Sequence, residues 1–360
     1  MKKMNIDDLF RFEECDGGYA LKRYRLLNDP SVEDLDIPSE YKGKPVISIA
    51  KFAFSEAKYL CSVKASDGIS EVGECAFFNC KNLKTVILPD SLTVIGDEAF
   101  FECTKLENLS FPSGLKVIGD NAFNHCKLKS VILPDGLEEL GKFAFNFCFG
   151  LRSVILPETL KVVRNRTFYF CENLENIVFP DGLKEIEGSA FYKCGFRALT
   201  FPSGLKKIGF LAFAHCEKLE KIDFGESSPV MDFKTFECCP KLSAENILQW
   251  LACSADITKP FPKKYISDPN SFDWDAVLRE DVFALALKYD SFALVDKGKV
   301  LKEIVRRDLN RLLPLAENAG WIITEKCMEK LLRISLQNGY IEITAWLLDY
   351  KNRKMGFGGA

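Results

Sequence analysis

The sequence predicts a β-rich repeat solenoid followed by a small all-α domain, because three columns of residues recur at one period through most of the 360-residue chain. Prolines fall at Pro89, Pro112, Pro134, Pro157, Pro180 and Pro202, with steps of 23, 22, 23, 23 and 22. Phe54, Phe77, Phe100, Phe123, Phe145, Phe168, Phe191, Phe213 and Phe236 keep the same step, and Ala precedes seven of the nine. Cys80, Cys103, Cys126, Cys148, Cys171, Cys194, Cys216 and Cys239 form the third column. This periodic demand explains why the chain carries 30 Phe.

One unit runs Leu83 to Cys103. Val86 and Leu88 alternate inward against Thr85 and Ile87 outward, which is strand periodicity, and Pro89 ends the strand because it has no N–H for a ladder. Leu92 and Ile95 fill the core, and Gly96 permits a turn. Ala99-Phe100 with Cys103 fits one short helical turn whose Phe reaches the interior, while the small Ala and Cys let neighbouring coils approach. No coil buries its own Phe, so stability must come from stacking.

These residues resemble the BspA-like leucine-rich repeat, whose pattern is close to Leu-x-x-Val-x-Leu-Pro-x-x-Leu-x-x-Ile-Gly-x-x-Ala-Phe-x-x-Cys. The likeness spans roughly residues 20 to 240, and Ile37-Pro38 with Tyr41 to Ile49 is similar to an opening coil of such arrays. It implies a right-handed leucine-rich-repeat coil of about 23 residues, strand plus short helical turn. It also implies a bacterial surface protein that adheres to host matrix proteins such as fibronectin or fibrinogen. Departures occur at Ser66 and Gly225 in the Pro column, Arg164 and Asp232 in the Gly column, and Thr167 and Thr235 in the Ala column.

Residues 1–37 read as a hairpin cap and first coil, since Asp16-Gly17-Gly18 separates two strand-like runs and an open terminal coil would expose core and edge. Residues 38–240 are the solenoid, and residues 241–273 a connecting helix from Leu242 to Cys253, with Ser243 as cap, and a linker holding Pro260, Pro262 and Pro269. A helical domain over 274–360 follows, with helices expected at 274–289, 298–312, 314–319, 324–337 and 341–351. Leu331 to Leu348 resembles the second half of an ankyrin repeat in a single copy.

A net charge of -3 provides no field for nucleic acid or anionic lipid. No apolar run is long enough to insert in a membrane, and no leader precedes the first residues, so a cytoplasmic location is expected for the chain as written, with the cell surface or secretion as the alternative if a leader was removed. A monomer is expected. No cofactor or metal is expected: the cysteines follow the solenoid period rather than paired ligand spacing and read as small buried hydrophobes. His125 and His215, the only histidines, lie four coils apart, too far for one catalytic pair, and no nucleotide-binding or nucleophile motif occurs. The chain is therefore read as non-catalytic, with a thiol-dependent enzyme as the reading from another class. Lys302, Arg306, Arg307 and Arg311 read as a solvated helix face because Glu303 and Asp308 interrupt them.

The chain is expected to bind a protein partner through its strand face. The outward position between Val and Leu carries Lys64, Ile87, Ser110, Ile132, Ile155, Val178, Thr200 and Asp223. Beside it lie Ser62, Thr85, Asn108, Ser130, Ser153, Asn176, Ala198 and Lys221. The candidate site is Ile87, Asn108, Ser110, Ile132, Ser153, Ile155, Asn176, Val178 and Thr200, an apolar stripe framed by small polar residues. Strand propensity alone is the competing explanation. Phe78, Phe101, Phe147, Tyr169, Phe170 and Tyr192 form a second set, read as satellite core, with sugar stacking as the sharper alternative.

Overall fold

A computed structural model divides the chain into two compact units, residues 1–241 and 242–360. The structure describes residues 5–227, 229–232, 234–243, 246, 297–321 and 323–355.

The first unit begins with a one-turn helix α1 (Ile6–Leu9) and an antiparallel hairpin of β1 (Phe10–Cys15) and β2 (Gly18–Tyr24), turning at Gly17. β2 then pairs in parallel with Lys44–Ile49, joining the cap to the solenoid's sheet. Asp34–Asp36 already pairs with Ser62–Lys64, so the first coil precedes the expected column start.

The coils build two parallel ladders, each coil giving a strand to both except the one at Asn108, which offers the outward ladder only a bridge. One ladder holds the outward stripe: Thr85–Ile87, Ser130–Ile132, Ser153–Ile155, Asn176–Val178 and their equivalents. The other holds Glu71–Val72, Val94–Ile95, Val117–Ile118 and Glu139–Leu140, then Val162–Val163, Glu185–Ile186, Lys207–Ile208 and Val230–Met231. In this second ladder the Gly column lies against backbone. A Cβ on Gly119 would come 2.6 Å from the Asp97 nitrogen, and one on Gly141 would come 2.4 Å from the Gly119 carbonyl carbon and oxygen. Arg164 stands in that column, and there the sheet breaks between Glu139–Leu140 and Val162–Val163. The Arg164 guanidinium bonds Glu139 across the gap at 2.9 Å. Glu187 also departs from the column, with Gly188 one residue later.

The Ala-Phe segment is not the short helical turn the sequence suggests. Two residues per coil are left-handed, two before and two after the column Phe: Cys75 (φ 53) and Asn79 (φ 59), Glu98 (φ 53) and Glu102 (φ 57), and so on along the array. Alternation of right- and left-handed residues turns every second peptide parallel to the rod. The N–H groups of Cys75, Phe77 and Asn79 donate to Asp97, Ala99 and Phe101 carbonyls of the next coil at 2.7–2.8 Å. Glu98, Phe100 and Glu102 repeat this toward Asp120, Ala122 and Asn124. The intervening amides close local four-residue turns, as Ala76 does onto Gly73 and Phe78 onto Cys75. Where Thr167 replaces Ala, its hydroxyl donates to the Arg164 carbonyl at 2.8 Å, so the polar atom is satisfied inside the core.

The column phenylalanines are fully buried and stack in a ladder, with centroids 4.7 Å apart from Phe54 to Phe77 and 5.5 Å from Phe145 to Phe168. Tyr24 from the hairpin stacks on Phe54 at 5.4 Å and Phe10 meets it edge-on at 6.4 Å, so the cap closes the ladder with aromatic surface.

In the second unit the structure describes α2 (Lys297–Arg306), α3 (Leu312–Asn318), α4 (Glu325–Asn338) and α5 (Ile341–Met355). The expected helix 298–312 is cut short at Arg306 because Asp308 is left-handed (φ 55), and the expected 314–319 helix starts earlier, at Leu312, which leaves Pro314 in the first turn where its missing N–H costs nothing. Thr324 caps α4 by accepting from the Cys327 amide, and Gly339 (φ 72) ends it. The expected helices 242–253 and 274–289 and the proline linker fall outside the described residues, except that the Asn246 amide donates to the Ser243 hydroxyl at 3.2 Å.

A candidate protein-binding face on the strand ladder

The outward column is where alternation puts it. Ile87 is 53% exposed, Ile132 64%, Ile155 44% and Val178 59%, while Val86, Val131 and Val154 between them are buried. Asn108, Ser110, Asn176 and Thr200 are exposed and Ser153 is half-buried. Leu88, expected inward, is only half-buried, though Leu133 and Leu156 at the same position are buried.

The structure does not bring all nine candidates together. Ser130–Ile132, Ser153–Ile155 and Asn176–Val178 form one three-stranded sheet in which Ile132 pairs with Ile155 and Ile155 with Val178. Ile87 lies on a separate sheet, linked onward only by the bridge between Thr85 and Asn108, and Thr200 starts another. Both interruptions precede coils shortened by one residue, where Cys126 and Cys194 are followed by a single residue before Leu128 and Phe196 instead of two. The contiguous apolar patch is therefore Ile132, Ile155 and Val178, flanked by Ser130, Ser153 and Asn176.

Two rims border this patch. On the strand-entry side, Lys127 and Lys129 bond Glu107 at 2.8 and 2.7 Å and hold its carboxyl down at about 2, and Arg197 pairs with Glu220 at 3.4 Å. On the proline side Asp135, Glu158 and Asp181 are exposed, one per coil, and among the described residues no ion pair reaches their carboxylates. Sequence reasoning passed over this acidic column; its signal is the residue after each proline, also acidic at Asp90.

The other candidate chemistry resolves differently. The cysteine column is more than a row of small hydrophobes: each thiol donates to the column-Phe carbonyl of the preceding coil, Cys80 to Phe54 at 3.1 Å and Cys148 to Phe123 at 3.2 Å. Burial pushes the Cys148 thiol up to about 12 and those of Cys126, Cys171 and Cys194 well above the ordinary range, the opposite of an activated nucleophile. In native protein, alkylation followed by mass spectrometry is expected to label the exposed Cys15 and Cys238 rapidly and the eight column thiols only on unfolding. A column cysteine labelled as fast as Cys15 would restore the thiol-enzyme reading. His125 stacks on Phe147 at 4.6 Å and His215 lies 4.9 Å from Tyr192, each in a left-handed position that histidine tolerates.

The aromatic set does not meet the geometry of a sugar platform. All six rings are half-buried and their faces cover one another: Phe78 on Phe101 at 5.2 Å and Tyr169 on Tyr192 at 4.9 Å, with Lys193 over Phe170. The basic cluster at the end of α2 is partly paired from within, since the buried Glu303 bonds Arg306 at 2.8 Å and Arg307 at 3.6 Å. Among the described residues no group of three or more His, Cys, Asp or Glu gathers to hold a metal, and no helix is long and apolar enough to cross a membrane.

Two parallel ladders, a stacked Phe core and one coil per 22–23 residues define a leucine-rich-repeat solenoid. A family model described as the BspA type leucine rich repeat region matches residues 21–152 and 138–251, more than half of the chain, and the protein belongs to that family. Solved structures agree. A leucine-rich repeat protein from Bacteroides ovatus is 27% identical with a TM-score of 0.53, covering 67% of this chain and 70% of that one. A leucine-rich repeat protein from T. pallidum is 27% identical with a TM-score of 0.50, covering 61% of this chain and 91% of that one. No curated protein sequence matches the chain.

Proposed function

We propose that the protein is a non-catalytic binding scaffold that grips a protein partner with the strand face centred on Ile132, Ile155 and Val178. The observation carrying this reading is three large apolar side chains, 44–64% exposed, held in register on one sheet over buried Val131 and Val154 and half-buried Ile177. Strand propensity accounts for β-branched residues at these positions but not for a charge-free patch bounded on both sides by charged columns. The family resemblance makes host matrix proteins the partner class to test first. An intracellular adaptor acting through the helical unit is the second reading, favoured by the exposed Leu336, Ile341 and Leu348 on α4 and α5.

The test immobilises the wild type and the variant Ile132→Asp, Ile155→Asp, Val178→Asp, and compares what each captures from extracellular matrix and from bacterial lysate. The three side chains face solvent, so circular dichroism is expected to be unchanged. A matrix partner held by wild type and lost by the folded variant supports the adhesin reading. Retention of the same partner by both moves the site to the helical unit.

A further inference from the structure

We infer that the occupant of this face is an amphipathic α-helix laid along the solenoid axis, with an apolar ridge on Ile132, Ile155 and Val178 and a basic flank toward Asp135, Glu158 and Asp181. The inference rests on the reading above that this face is the binding site. Three observations determine the partner's chemistry.

Backbone comes first. In the three-stranded sheet of Ser130–Ile132, Ser153–Ile155 and Asn176–Val178 the backbone N–H and C=O groups lie in the plane of the ladder, so the face presents side chains alone. An occupant must satisfy its own backbone, and a helix does so within one segment. Spacing comes second. Adjacent strands lie about 4.8 Å apart and a helix advances about 5.4 Å per turn, so residues i, i+3 or i+4, and i+7 meet three successive coils with a mismatch of only about 1 Å. An extended peptide repeats its side chains on one face about every 6.6 Å and falls out of step sooner.

Charge is the third. The strand-entry rim carries cations of its own: Lys127 and Lys129 share Glu107, Glu175 pairs with Lys218, and Arg152 is exposed with no ion pair among the described residues, so that rim disfavours a second basic flank. The proline rim is acidic instead: Asp135, Glu158 and Asp181 follow each other coil by coil, on the same three coils as the apolar patch, without an ion-pair partner among the described residues. Like charges stacked at strand spacing repel, and cations brought along that rim relieve the repulsion. A helix with lysine or arginine on one flank meets both demands at once.

The test selects displayed random peptides of about 14 residues, four helical turns, on the full chain, with counter-selection on the Ile132→Asp, Ile155→Asp, Val178→Asp variant. Survivors are expected to carry apolar residues at i, i+3 or i+4, and i+7 with Lys or Arg on one side. Their affinity is expected to fall about tenfold on the Asp135→Asn, Glu158→Gln, Asp181→Asn variant and to lose that difference at high salt. These three residues are exposed and unpaired, so the charge variant folds as wild type. Survivors that are acidic, proline-rich or indifferent to the charge variant would overturn the helix while leaving the face intact. If no peptide distinguishes wild type from the aspartate variant, the face itself is wrong.

Discussion

Phe145→Ala is expected to cost about 3–5 kcal/mol, a large share of a domain's net stability of about 5–15 kcal/mol. Phe145 is fully buried, its ring lying 5.3 Å from Phe123 and 5.5 Å from Phe168, with Phe111 meeting it edge-on at 6.3 Å. Alanine there breaks the aromatic stack that joins the coils on either side and leaves a cavity between the buried Leu and Val columns. In a nearest-neighbour array this weakens one interface in the middle, so the β-rich part should unfold at lower urea with a broader transition. Phe149→Ala, at an exposed ring of the same coil, is the control. A midpoint for Phe145→Ala close to that of the control would mean the ladder does not carry the stability assigned to it.

The second large effect is Gly141→Ala. The added methyl would sit 2.4 Å from the Gly119 carbonyl and 2.5 Å from the Asp120 nitrogen, both backbone atoms that cannot swing aside. Accommodation requires prying the coils apart, at about 3 kcal/mol or more. Gly136→Ala, whose nearest contact is the Ser113 carbonyl oxygen at 3.3 Å, should change thermal stability far less. Equal losses at the two sites would refute close backbone approach as the reason for the Gly column. Within the array the native chain departs from glycine at Arg164 and at Glu187: at Arg164 the ladder parts and an ion pair spans the opening, while at Glu187 the ladder stays whole and the Glu187 amide still donates to the Val163 carbonyl.

Much of this was readable because periodicity reports which residues share a face. The Phe, Cys and Val columns and the outward positions Ile132, Ile155 and Val178 follow from spacing and alternation alone. The turn conformation does not, since spacing fixes a repeat length but not φ. Its left-handed positions hold Cys75, Asn79, Glu98, His125, Phe147 and Arg166, with no shared composition to announce them. The separation of Ile87 from the patch hinged on one missing residue after Cys126, a signal visible in the 22-residue steps but without meaning until the ladders were seen. Asp308 ended α2 in the left-handed region with neither glycine nor proline to mark it. The acidic rim lies outside the strands, at the residue after each proline, where alternation assigns no face.

The peptide groups before Cys75, Phe77 and Asn79, and those at the same places in the neighbouring coils, point the same way, N–H toward the C-terminal coils and C=O toward the hairpin. Their dipoles therefore add along the axis as they do in an α-helix, but in three parallel files instead of one. The rod is electrically polar whatever its net charge: partial negative charge gathers at the hairpin end, where the Tyr24 N–H donates to the Ala53 carbonyl and blunts it, and partial positive charge at the opposite end. Two such rods attract head to tail and repel when laid side by side in the same direction, so the alignment of backbone amides opposes parallel lateral bundling of the scaffold and favours antiparallel contacts.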